Sequence, residues 1–207
     1  MAISYPLTIG HALYWALRSE TYNPQVQQRF GLYLEVFLSK MEPKLVKTFE
    51  NESYVIGKLY KIAEIPKKEK KGKVEIEFQK AITELNKEFK DRNLEVSIPL
   101  DYKFRIKGIK MEECKIMKSK KKPILFIMEN ADPLGDNVEF LLKDGDDLRM
   151  DIVTIQLFKI MKSIWDQNDL KLKMSLYPVV TTGFYKGLIH IVKDSVTLAE
   201  IHMNQGG

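Results

Sequence analysis

The sequence predicts an α+β fold on three observations. Apolar residues recur at helical spacing through the first third of the chain. A two-residue alternation sets in at Leu94. One long helical pattern then interrupts the strands that follow, with no regular strand–helix alternation, so the sheet is expected to be antiparallel. At 207 residues, 44% of them hydrophobic and 29% charged, the chain can bury a core of its own.

The elements follow in order. Thr8 can cap a helix with Ile9, Leu13, Ala16 and Leu17 on one face. Asn23-Pro24 reads as N-cap and first residue of a second helix carrying Val26, Phe30, Leu34, Phe37 and Met41. After Pro43 a third helix carries Leu45, Phe49, Ile56, Leu59, Ile62 and Ala63, and is expected to stop before Pro66. Residues 67–73 (KKEKKGK) read as a solvated loop. A fourth helix runs from Val74 to about Phe89. Strands are expected around 94–100 and 102–106, then at 111–117, 123–129, 137–143, 172–180 and 187–193. The intervening helix spans about 147–167, with Leu148, Ile152, Ile155, Ile160, Ile164 and Trp165 at its apolar positions.

Composition excludes several classes. Cys114 is the single cysteine, so there is no disulfide framework, and a reducing compartment fits. Three scattered histidines and one cysteine make a zinc site a poor reading. No apolar run is long enough to span a membrane, and no signal peptide opens the chain. Net charge is +5, carried by lysine: five of the 33 basic residues are arginines. Base reading favours arginine, so nucleic acid is not expected. An anionic small molecule or membrane surface fits at least as well.

Two stretches hold candidate chemistry. Lys118-Ser119-Lys120-Lys121-Lys122-Pro123 lies between two strands and reads as a hairpin tip, either solvated or facing an anion. It has no glycine, which excludes a Walker A loop and a protein-kinase glycine-rich loop. In residues 141–151, LLKDGDDLRMD, a lysine ends an apolar strand, an Asp-Gly turn follows and acidic residues open a helix. Asp146 or Asp147 caps that helix. Lys143, flanked by Leu141 and Leu142, is badly placed for a solvated face unless an anion meets it. Asp151, one turn beyond Asp147, could point back at Lys143, a lysine–carboxylate pair of the kind kinases place beside phosphates. Tyr177 and His190 read as structural residues when taken alone. No Gly-x-Ser-x-Gly elbow or metal-spaced Glu–His pair is present, and Cys114 has no cationic neighbour to activate it.

Together these residues resemble class I phosphoinositide 3-kinase catalytic subunits. GHALYWALRSE (10–20) and QQRFGLYLEVF (27–37) resemble the end of their helical domain. ECKIMKSKKKPILFIMENAD (113–132) resembles their phosphate-binding hairpin, and KDGDDLRMD (143–151) with residues 151–165 their lysine strand and following helix. GLIHIVKDSVTLAEI (187–201) resembles the hinge and the segment after it, and the match is weak over 43–108. The resemblance implies two regions. Residues 1–41 would be the last helices of the helical domain. Residues 42–207 would be a kinase-like N-lobe, a five-stranded antiparallel sheet with packed helices, ending just after the hinge.

Roles are implied too. Lys143 would contact the ATP α-phosphate, oriented by Asp151 and Tyr177. Ser119 and Lys121 would touch the β- and γ-phosphates. Met117, Pro123, Leu125, Leu141 and Ile189 would line the adenine slot. The His190 carbonyl and Val192 amide would bond adenine, with Ser195 at the pocket mouth. The implied activity is transfer of the ATP γ-phosphate to the 3-hydroxyl of phosphoinositides. A regulatory subunit or small GTPase would be a partner of a longer protein, which would be cytoplasmic and recruited to membrane surfaces. The sequence departs from the family pattern at Met150 (glutamine is usual), Leu125 (tryptophan), His190 (glutamate) and Pro178 (glycine). It also closes before the family's catalytic loop and metal motif, so Mg2+ ligands would come from beyond it. The expectation is a piece of a lipid kinase carrying the ATP-binding N-lobe only and inactive alone. The alternative is a truncated, non-catalytic nucleotide- or partner-binding module.

Overall fold

The computed structural model describes residues 1–70 and 72–205. Lys71, inside the lysine-rich run, and Gly206 and Gly207, at the end of the last stretch, lie outside the described residues. A single π-helical turn, Pro6–Gly10, leads into α1 (His11–Glu20). Thr8 sits inside that turn and donates to the Tyr5 carbonyl at 3.4 Å, so it does not cap α1. Helix α2 (Gln27–Ser39) starts later than Asn23-Pro24 suggests. Asn23 instead closes a turn, its side chain accepting from the Gln25 N–H (3.2 Å) and its carbonyl from the Gln27 N–H (2.8 Å).

Helix α3 (Pro43–Lys68) carries Pro at its first turn, where no N–H is needed, and runs two residues past Pro66. That proline removes one bond of the last turn, its ring is buried, and the Lys122 ammonium donates to its carbonyl. Helix α4 (Val74–Asp91) buries Phe78, Ile82, Leu85 and Phe89, spaced four, three and four residues apart.

The sheet has seven described strands, as many as the strand patterns predict and two more than the five that the resemblance implies. They are β1 (Val96–Ile98), β2 (Asp101–Ile109), β3 (Lys115–Ile116), β4 (Ile124–Asn130), β5 (Val138–Asp144), β6 (Val179–Gly183) and β7 (Lys186–His190). All pairings are antiparallel, in the order β1-β2-β4-β5-β7-β6, with β3 on β4. Two of them are shorter than expected. The expected strand 111–117 opens as a 3-10 turn at Met111–Glu113, leaving two paired residues. The expected strand 172–180 pairs only from Val179. Its neighbour β7 offers five residues, and Pro178 has a carbonyl for the His190 N–H (3.0 Å) but no N–H to give back. The sheet curls until Phe104 of β2 stacks on His190 of β7, ring centroids 5.2 Å apart.

Helix α5 (Arg149–Gln167) lies between β5 and β6, and α6 (Leu198–Gln205) follows β7. Leu148, not Asp146 or Asp147, takes the N-cap position of α5, with no side-chain cap bond; the Asp147 carboxylate, one residue earlier, accepts the Arg149 N–H at 3.1 Å. One core joins α1–α4 to one face of the sheet, where Ile124, Phe126, Phe140, Leu142 and Leu188 are fully buried. Buried Glu52 of α3 ties α1 to this core. Its Oε2 accepts from Trp15 Nε1 at 3.0 Å and lies 2.9 Å from His11 Nε2.

Candidate functional site

Strand periodicity splits β5 into two faces. Phe140 and Leu142 point into the core, whereas Leu141 and Lys143 are half-buried on the opposite face. Residues directly opposite in antiparallel strands share a face, so register alone builds a row across four strands: Leu125, Leu141, Ile189 and Val179. All four are half-buried, forming an apolar shelf rather than a core. The adjacent row is Lys143, Gly187 and Thr181. Gly187 is required there, since a Cβ would collide with the Val180 carbonyl and with Leu148. Leu148, itself buried, thereby seats the start of α5 beside Lys143.

A strand lysine and a hairpin lysine meet at one carboxylate. Lys143 Nζ is 3.5 Å from Asp146, with both side chains about one-quarter exposed. Lys121, from the β3–β4 hairpin, also pairs with Asp146 and donates to the Gly145 carbonyl at 2.8 Å. The Lys121 hydrogen bond, then the nearby Lys143 and Lys121 charges, hold the Asp146 carboxyl below its ordinary range despite partial burial. Gly145, at φ +104°, makes the turn that brings Asp146 back under the strand end. The hairpin is closed by Met117 N–H to the Pro123 carbonyl (2.9 Å) and Lys122 N–H to the Ser119 carbonyl (3.1 Å). Met117, Ser119 and Lys121 are exposed at its tip, and Pro123 is half-buried at its base.

At the other end of the shelf, β7 gives way to a turn. The Ile191 N–H donates to the Glu139 carbonyl at 3.1 Å, and the Ser195 hydroxyl to the Val192 carbonyl at 2.7 Å. The Val192 N–H has no hydrogen-bond partner among the described residues. The His190 side chain points to the opposite face, against Phe104, where burial pulls its pKa down.

Not every expected residue joins this arrangement. Asp151 is exposed and makes no ion pair among the described residues, so the expected Lys143–Asp151 pair is replaced by Lys143–Asp146. The cause is the turn at Gly145, which folds Asp146 back while α5 carries Asp151 outward. Tyr177 is half-buried in the irregular stretch before β6. Sequence reasoning gave Asp146 only a capping role. The available signal was a lysine three residues before it, across an Asp-Gly turn. Among the described residues, no group of three or more His, Cys, Asp and Glu side chains is placed to hold a metal. Burial pushes the Cys114 thiol up to about 11, which leaves it a poor nucleophile.

Comparison with known proteins accords with this layout. Residues 137–207, which include β5, α5 and β7, match the family described as phosphatidylinositol 3- and 4-kinase. The chain is 35% identical to phosphatidylinositol 3-kinase 3 of Dictyostelium discoideum over 96% of its length, which is 12% of that relative. It is 32% identical to phosphatidylinositol 3-kinase 2 of the same organism over 100% of its length and 11% of the relative's. It is 33% identical to the human phosphatidylinositol 3-kinase C2 domain-containing subunit gamma over 97% of its length and 13% of the relative's. The chain thus spans about an eighth of the relatives it matches, and their names do not single out class I. The chain belongs to the phosphatidylinositol 3- and 4-kinase family and corresponds to part of the catalytic region of a phosphatidylinositol 3-kinase.

Proposed function

We propose that this chain is the nucleotide-holding part of a phosphatidylinositol 3-kinase that transfers the ATP γ-phosphate to the 3-hydroxyl of phosphoinositides. The observation that carries the reading is the convergence of Lys121 and Lys143 on Asp146 at one end of an apolar shelf. Asp146 stands in for an anion between two ammonium groups. A polyphosphate entering there would meet the same two cations, one held by strand β5 and one by the β3–β4 hairpin. Leu125, Leu141 and Ile189 offer a flat apolar surface for a base. The unpartnered Val192 N–H at the far end is a donor waiting for an acceptor. In this reading Met117, Pro123 and Ser195 border the slot, Ser119 adds a hydroxyl at the phosphate end, and Asp151 and Tyr177 keep the expected orienting roles only if α5 and residues 169–178 close over the ligand.

Mg2+ would neutralise the phosphates, and among the described residues no group of three or more His, Cys, Asp and Glu side chains is placed to hold it without them. We further propose that residues 1–41 are the end of a helical domain and 42–207 an N-lobe, with no turnover by this chain alone. A regulatory subunit or small GTPase, and recruitment from the cytoplasm to a membrane surface, would belong to the longer protein.

The test is titration of the full chain with a fluorescent N-methylanthraniloyl ATP. Lys143→Met should weaken binding at least tenfold, and Lys68→Met, in the lysine-rich run, should leave it unchanged. Equal affinity for the Lys143 variant and the parent chain would overturn the assignment.

A further inference from the structure

Lys143 and Asp144 point to opposite faces of β5, so the Asp144 side leads away from the proposed nucleotide shelf. There Asp144 accepts ion pairs from Lys67 (2.6 Å) and Lys186 (3.6 Å). Past Lys186, between α1, α3 and the β6–β7 turn, opens a cavity of about 390 Å3. Buried Trp15 and Tyr60 form its floor, and exposed Tyr22 and Phe184 flank its mouth. That size, with aromatic rings at floor and mouth, suits a small ligand of one or two rings.

The charges around it are unequally committed. Lys186 is engaged with Asp144 and lies 4.7 Å from the Tyr60 ring centroid. Glu64 is taken by Lys68 at 2.5 Å, and the Tyr60 hydroxyl by Thr182 at 2.5 Å. Arg18 and Lys61 also line the cavity, yet among the described residues neither makes an ion pair. Arg18 holds its guanidinium 5.5 Å from the Tyr22 ring centroid, at the mouth. The uncommitted charge facing this aromatic hollow is thus positive.

Gly57 adds a separate observation. It lies inside α3 on the cavity wall, and a Cβ there would meet nothing within 4 Å. Glycine inside a helix is less favourable than alanine. A larger side chain would fit and would strengthen the helix, and its absence keeps the hollow open.

We propose that this cavity is a second ligand site, taking an amphiphilic monoanion. An aromatic body would lie on Trp15 and Tyr60, with its carboxylate, sulfonate or phosphate at Arg18 and Lys61. The site is separate from the proposed nucleotide slot and extends beyond the function argued above.

The test uses 8-anilinonaphthalene-1-sulfonate as probe, titrated into the full chain by fluorescence. N-phenyl-1-naphthylamine serves as its uncharged counterpart. The exposed apolar face of α5 would also take up such probes, so the readout is the saturable component that a cavity-filling variant removes. Gly57→Phe should abolish that component, and Gly57→Ala should keep it. Arg18→Gln with Lys61→Gln should weaken it at least tenfold, and the uncharged probe should bind at least tenfold more weakly than the sulfonate. A folded Gly57→Phe chain that retains the component would overturn the proposal. If that variant fails to fold, the charge arms decide: unchanged affinity in the Arg18/Lys61 double variant, or equal binding of the two probes, would overturn it.

Discussion

Helices α3 and α5 carry similar apolar patterns and end in opposite surroundings. α3 buries Phe49, Val55, Ile56, Leu59, Ile62 and Ala63 between α4 and the sheet. α5 buries only Ile155, leaving Met150 72%, Leu157 55% and Ile160 57% exposed. An apolar stripe therefore reports that a helix wants a partner, not that this stretch of chain supplies one. α3 is anchored from three sides: Glu52 to α1, Tyr60 to Thr182 of β6, and Lys67 to Asp144 of β5. α5 is held at its first turn by Leu148 over Gly187 and otherwise touches mainly β6.

The largest expected effect tests that contrast directly. Leu59→Ala opens a cavity in a fully buried site and should cost about 2–5 kcal/mol. Leu157→Ala on α5 changes an exposed side chain and should stay within about 0.5 kcal/mol. Urea unfolding of the two variants checks both. A cost at Leu157 approaching that at Leu59 would mean that α5 is packed in solution, and the contrast would fail.

That contrast also marks how far the sequence was legible. The buried positions of α3 and α4 followed from period and size, because a helix packed on a sheet must turn its large apolar residues inward. Ile160 and Ile164 of α5 carry the same signal and stand exposed, since periodicity does not encode what covers a face. The apolar pattern located β4 and β5. It overstated the strand before Pro178, because pairing depends on how much of β7 is opposite. The site was legible as residue types: the lysine hairpin, the strand lysine and the Asp-Gly turn. Its geometry was not. Helical spacing pointed to Asp151, whereas the direction of the turn at Gly145 selected Asp146.

A smaller effect should follow from that carboxylate. Asp146 titrates below its ordinary value in the folded chain, so its stabilising contribution is present above about pH 4 and is lost as acid carries the chain through the lowered value. Asp146→Asn should cost about 1 kcal/mol at pH 7, leaving Lys121 and Lys143 facing each other without an anion. The same variant should lose less stability than the parent between pH 4 and pH 2.5. Urea midpoints across that range check the sign, and parallel curves for the two chains would show that Asp146 does not hold the lysines.

The smallest effect is set by His190, on the face opposite Lys143. Burial against Phe104 lowers its pKa, opposed by its hydrogen bond at Ile191 and by Glu139, while Lys193 adds to the lowering. A lowered histidine favours the neutral ring in the folded state. As pH falls below the ordinary value near 6.5, the unfolded chain binds the proton first, so stability declines from there down to the lowered value. His190→Phe keeps an aromatic ring for Phe104 to stack on and removes the titration. Its thermal midpoint should therefore be flatter than the parent's between pH 7 and pH 5 and coincide in slope above pH 7. A parent chain with no decline over that interval, or a variant that declines just as steeply, would show that the curl of β2 onto β7 leaves His190 as wet as an exposed histidine.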